Sequence, residues 1–212
     1  MSFFNRIFLN THNLSQQAPQ SKEDVTVTFI APTREYAQLM KFTQALNSLL
    51  MSDKFLARSD YRQLVEDYAQ LNNFFQNQKA AKTLSYYCSA NGVPGAEVEA
   101  FLRNYLDIAN LESGSESICR HNQMFVERHL ESEKDYLDNI LKSVDPIISL
   151  DAEQRQVVLS DEDYTLVIAG AGAGKTTTIA AKVRYLVERQ HIVPEKILVI
   201  SSLGECRRCG FP

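Results

Sequence analysis

The run Ala169-Gly170-Ala171-Gly172-Ala173-Gly174-Lys175-Thr176 constrains the fold of this chain more than any other feature. The apolar stretch Thr165-Leu166-Val167-Ile168 leads into it, and a helix-forming segment, Thr177 to Arg189, leads out. Strand, glycine-rich turn and helix in that order predict a phosphate-binding loop (Walker A). Glycines let the backbone curl until successive N–H groups point at one anion, and the following helix adds the positive end of its dipole. In such a loop Lys175 reaches the β- and γ-phosphates as the catalytic cation, and the Thr176 hydroxyl sits on Mg²⁺. The main chain of Ala169, Gly170, Ala171, Gly172, Ala173, Gly174, Lys175, Thr176 and Thr177 then lines the ATP phosphates. Ala169 departs from the strict pattern, which begins with glycine.

The rest of the chain divides around that loop. Residues 1–24 form an N-terminal segment and polar linker, with Phe3, Phe4, Ile7, Phe8 and Leu9 suited to a docking helix and too short for a membrane span. Residues 25–145 read as a helical region. It opens with a short strand at Val25–Ile30 and continues in stripes at helical spacing, among them Val98, Phe101, Leu102, Tyr105 and Ile108. Asn91-Gly92, Pro94-Gly95 and Ser113-Gly114 break it, and one long helix is predicted from about Ser117 to Val144. Residues 146–201 read helix, strand, loop, helix, strand, with Ile197-Leu198-Val199-Ile200 as a second buried parallel strand. The expected fold class is α/β: a mainly helical region followed by the first, truncated βαβ unit of a RecA-like nucleotide-binding domain.

Bulk properties narrow the setting without deciding it. A net charge of −4 over 212 residues offers no global basic field for nucleic acid. Four cysteines make no dense disulfide framework, so a reducing, cytoplasmic setting without membrane association is expected.

Upstream of the loop stands Leu150-Asp151-Ala152-Glu153-Gln154-Arg155-Gln156-Val157-Val158. Asp151 and Gln154 are spaced as a helix capping box. A glutamine amide carries donors and an acceptor in one plane, matching an adenine edge. With LDAEQRQVV followed by LVIAGAGAGKTTT, the chain resembles the UvrD/Rep-type superfamily 1 DNA helicases, which carry "L-N-x-x-Q-x-x-A-V" and then "A-G-A-G-S-G-K-T". That family shares the alanine at the first loop position. The DED before the loop strand and the AKVRYLVE after the loop resemble the helicase IV-like branch.

The resemblance implies that Gln154 reads adenine, Lys175 neutralises phosphate charge and Thr176 binds Mg²⁺. It also implies an arginine near the nucleotide about two turns into the post-loop helix, where this chain departs with Lys182, an ammonium that stacks less well than a planar guanidinium. ATP is the implied ligand, and single- or double-stranded DNA the partner of the full-length parent. The likeness runs from about Leu150 to Ser201. Residues 202–212 lack the family's "T-x-K-A-A" segment and read as an aberrant tail, expected to mark a lost or truncated reading frame. A strand ending in Asp-Glu after the loop is also missing, so ATP binding is expected without hydrolytic competence.

Other constellations point elsewhere. Cys206 and Cys209 have zinc-ligand spacing, but Cys88, Cys119 and His121 are not brought to them by any pattern. Val157–Glu162 imitates a metal-binding strand, but Val157 and Val158 belong to the Gln154 helix and the acids precede the loop strand, leaving Asp161, Glu162 and Asp163 as a solvated turn. Two rival functions stand beside the helicase-fragment reading. One is a non-hydrolysing, nucleotide-binding regulatory module. The other is a helical interaction module that uses Ile118 to Leu141 against a partner helix.

Overall fold

The computed structural model describes residues 33–110 and 113–200. The strand expected at residues 25–30 and the tail with Cys206 and Cys209 lie outside them. The described residues build helices around two hydrophobic cores.

The first core is made by α1 (Arg34–Leu50), α2 (Arg58–Ala80), α3 (Leu84–Asn91), α4 (Gly95–Ile108) and the start of α5 (Glu116–Ser132). Thr33 starts α1 by accepting a hydrogen bond from the Tyr36 N–H at 3.3 Å. Gly92 ends α3 in the left-handed region at φ 62°, where an L side chain would be strained. The stripe Val98, Phe101, Leu102, Tyr105 and Ile108 is fully inside. Phe101 meets Phe42 edge-on at 4.9 Å between ring centres and Phe75 at 5.9 Å. Each such ring contributes roughly 1.5–3 kcal/mol through burial alone. Tyr105 keeps its hydroxyl satisfied by donating to the Val65 carbonyl at 3.1 Å.

The second core joins α6 (Lys134–Asn139), α7 (Ala152–Leu159) and α8 (Lys175–Glu188). Its centre is Leu137, Ile140, Leu141, Leu150, Val158, Leu159, Ala181 and Tyr185. The single long helix expected from Ser117 to Val144 is two helices broken at Glu133, whose backbone leaves the helical region at φ −98°, ψ 11°. The break serves packing. Ile118 faces the first core, whereas Leu137, Ile140 and Leu141 face the second, and one straight rod would not deliver both sets.

The α/β expectation is corrected: no strand occurs among the described residues, so there is no βαβ unit. Residues 165–168 and 197–200 run beside α8, lining with it a cavity of about 420 Å³. Leu166 and Ile168 are 85% and 89% exposed, and Leu198 and Ile200 are 69% and 78% exposed. A strand is defined by the ladder of hydrogen bonds it shares with a neighbour. Alternation and β-branched content supplied the propensity here, but no neighbouring ladder completes it.

Candidate functional site

Asp151 caps α7 as its sequence suggests. Its carboxylate accepts from the Gln154 N–H at 2.8 Å, and the Gln154 side-chain oxygen accepts from the Asp151 N–H at 3.1 Å. The same Gln154 amide turns its nitrogen to the loop and donates to the Ala173 carbonyl at 3.3 Å. Residues 154 and 173, which the sequence joins only by inference, are therefore neighbours.

The loop itself needs glycine at two places. Gly172 has φ 78° and Gly174, the N-cap of α8, has φ 74°. At Gly174 a Cβ would also stand 2.5 Å from the Gln154 side-chain nitrogen. At Gly170 and Gly172 a Cβ would meet nothing within 4 Å, so the loop faces open space there. The intrahelical bonds of α8 begin with Thr178 N–H donating to the Gly174 carbonyl at 2.8 Å. The N–H groups of Lys175, Thr176 and Thr177 precede the first intrahelical donor, Thr178, and so have no acceptor within the helix, as in every helix start. They point out at the glycine-rich end with the positive end of the helix dipole behind them.

Lys175 lies over this loop. Its Nζ donates to the carbonyls of Gly170 at 2.7 Å and Ala169 at 3.0 Å. Thr176 is exposed and borders an apolar cavity of about 230 Å³ with Leu141, Ile179, Val183 and Val199. Lys182 is placed elsewhere. Its Nζ donates to the carbonyls of Val158 at 2.9 Å and Ser160 at 2.5 Å, at the C-terminal end of α7. Asp161 Oδ1 is 3.8 Å away and the Tyr185 ring centre 5.7 Å. Burial pulls the Lys182 pKa down, and the charge of Asp161 opposes that. The structure thus gathers Gln154, Lys175 and the glycines at one end of α8 and sets Lys182 against the far end of α7.

Two features escaped the sequence reading. Val157 and Val158 are helical, as expected, but the acidic turn after them is more than solvated. Glu162 accepts from the Arg58 N–H at 3.1 Å, and Asp163 accepts from the Ser59 N–H at 2.8 Å and hydroxyl at 2.6 Å. These carboxylates cap α2, whose own N-cap residue, Ala57, has no side-chain acceptor to offer. The signal was available as an uncapped helix start in one place and a run of acids in another. Asp107, likewise, gathers the start of α5, accepting from the Glu116 N–H at 2.7 Å and the Ser115 hydroxyl at 2.8 Å. No group of three or more metal-ligating side chains occurs among the described residues, and Cys88 is buried while Cys119 is exposed.

The part of the chain that known proteins resemble is the part that carries α7, the glycine-rich loop and α8. Residues 150–202 match the UvrD/REP helicase N-terminal domain. The chain is 42% identical over 67 residues to the probable DNA helicase II homolog of Mycoplasma capricolum, covering 31% of this chain and 9% of that protein. It is 33% identical over 82 residues to DNA helicase IV of Escherichia coli, covering 39% of this chain and 11% of that one. It is 42% identical over 50 residues to the ATP-dependent DNA helicase srs2 of Schizosaccharomyces pombe, covering 24% and 6%. No solved structure matches the chain. The resemblance to UvrD/Rep-type helicases, helicase IV among them, therefore holds over the stretch that contains α7, the loop and α8, and the aligned part is about a tenth or less of each relative's length. No described helix is long and apolar enough to cross a membrane.

Proposed function

We propose that this chain binds Mg–ATP through Gln154 and residues 169–177, as the nucleotide-binding opening of an ATP-dependent DNA helicase or translocase. The observation that carries the reading is the meeting of Gln154 with Ala173 at 3.3 Å, beside a loop whose two left-handed glycines lead into α8. The donor set fits a triphosphate: outward N–H groups at a helix start, one ammonium in Lys175 and a hydroxyl in Thr176 for the metal. Bound Mg²⁺ would shield the phosphate charge. Lys175 would exchange the carbonyls of Ala169 and Gly170 for phosphate oxygens, and Gln154 would offer its amide to the adenine edge.

Binding without appreciable turnover is part of the proposal, since hydrolysis needs carboxylates and arginines that these 212 residues do not supply in the expected pattern. DNA is the partner proposed for the whole helicase. The proposed setting is the cytoplasm. The rival interaction module has less surface than its sequence promised, because Ile118, Phe125, Leu137, Ile140 and Leu141 are buried within the chain itself.

Isothermal titration with Mg–ATP tests the reading. Saturable binding by the full chain, weakened about tenfold or more in Lys175→Ala at unchanged helical content, is the expected result. No heat with the folded chain, or an unaltered Kd in the variant, removes the assignment.

A further inference from the structure

Within that nucleotide-binding reading, we infer that Lys182 is a positioning residue for base selectivity, acting through α7 rather than by touching the nucleotide. α7 has eight residues and is about 12 Å long. It is tied to the loop-bearing α8 unit at both ends. At its start, Gln154 donates to the Ala173 carbonyl at 3.3 Å. At its finish, Lys182 reaches from α8 to the carbonyls of Val158 and Ser160 at 2.9 and 2.5 Å. At that same finish, Val158 and Leu159 pack in one core with Ala181 and Tyr185.

These fixings are of different kinds. Close apolar packing of Val158 and Leu159 holds α7 on α8 but has little directional preference, so a small roll of the helix is left to polar contacts to set. The two carbonyls held by one ammonium are directional, and together with the Arg155–Asp138 ion pair at 2.6 Å nearer the start of α7 they set the tilt of the helix that carries Gln154. The amide of Gln154 has to meet a base edge within a few tenths of an ångström to discriminate, so a small roll of α7 would spoil base reading. The phosphate cradle belongs to the loop and α8 and would be left alone. Asp161, 3.8 Å from the ammonium, favours its charged form and hence the cap.

The experiment measures Kd of the full chain for Mg–ATP, Mg–GTP and inorganic tripolyphosphate, with helical content followed by circular dichroism. Wild type is expected to prefer ATP over GTP about tenfold or more. Lys182→Met should bring the two nucleotides to near parity with tripolyphosphate affinity unchanged. Lys182→Arg, which still supplies donors for both carbonyls, should restore the preference. Lys182→Ala, which also lacks a donor and favours the helix, stands in if the Met variant loses helical content. In a Gln154→Ala background, Lys182→Met should alter selectivity no further. A retained preference in the folded Met or Ala variant overturns the inference. So does a loss that adds to that of Gln154→Ala, which would mean direct contact with the base. If tripolyphosphate binds but wild type does not distinguish the nucleotides, the roles of Gln154 and Lys182 fall and the phosphate loop stands. If neither tripolyphosphate nor nucleotide binds, the loop reading fails as well.

Discussion

Asp163 takes both hydrogen-bond donors of Ser59, the backbone N–H at 2.8 Å and the hydroxyl at 2.6 Å, across 104 positions of sequence. Glu162 beside it takes the Arg58 N–H at 3.1 Å. The start of a helix in the first core is thus capped by the turn that precedes the glycine-rich loop. The junction exists because Ala57 has no side-chain acceptor for the N–H groups of Arg58 and Ser59 at the start of α2.

Removing that cap should loosen α2 at its first turn. In Asp163→Ala, hydrogen exchange at the amides of Arg58 and Ser59 should quicken, with the amides in the middle of α8 unaffected. The pKa of Asp163 is held below the ordinary carboxylate range by its hydrogen bonds from Ser59. Its folded value lies below its unfolded one. Its stabilisation is therefore complete above the ordinary value of about 3.9 and is lost as pH falls through the lower, folded value. Exchange at Ser59 that is the same in variant and wild type would refute this role.

Gly174 combines a left-handed backbone with a crowded neighbour. Gly174→Ala should cost about 1–2 kcal/mol from the backbone alone. It should also displace the Gln154 amide, since the added Cβ would lie 2.5 Å from its nitrogen. Gly170→Ala is the matched control, with an unconstrained φ and nothing within 4 Å of its Cβ, and should be near neutral. Urea denaturation of both variants is the check. Equal midpoints would contradict the argument.

Phe101 is the hub of the first core, in ring contact with Phe42, Phe75 and Tyr105. Phe101→Ala should destabilise by about 3–5 kcal/mol, enough to abolish folding in a marginal chain. Tyr86→Ala, at a ring 78% exposed, should fall within about 0.5 kcal/mol of wild type. The comparison is read from urea midpoints, or from helical content where the core variant does not fold.

Asp107 should contribute to acid sensitivity. Burial disfavours its charge, but hydrogen bonds from the Ser117 and Ser115 hydroxyls and from the Glu116 and Ser117 N–H groups more than offset this and hold its pKa below the usual range. The stability it supplies is present above about pH 3.9 and disappears as pH drops through the lower folded value. Asp107→Ala should cost about 1 kcal/mol near neutrality through lost capping of α5, and less in strong acid. A cost independent of pH would argue against the carboxylate's role.

Much of this molecule is determined by local chemistry that a reader of the sequence alone can use. The stripe from Val98 to Ile108 implies a helix with one buried face. Asp151 with Gln154 implies a cap, and Gly172 and Gly174 imply a backbone that turns through positive φ. Each of these depends on residues within a turn or two of one another, so the information is contiguous.

The tertiary structure decides what distance in sequence hides. Thr165–Ile168 and Ile197–Ile200 have the composition of strands, yet strand formation depends on a partner's ladder, which propensity does not contain. The Ser117–Val144 pattern is helical throughout, yet two cores in different directions break it at Glu133. Asp163 reads as a solvated acid until Ser59 is beside it, and nothing local in the sequence sets Lys182 against the carbonyls of Val158 and Ser160. In each case the deciding energy comes from a hydrogen-bond partner or a packing surface supplied by a remote part of the chain. Only folding brings that part near.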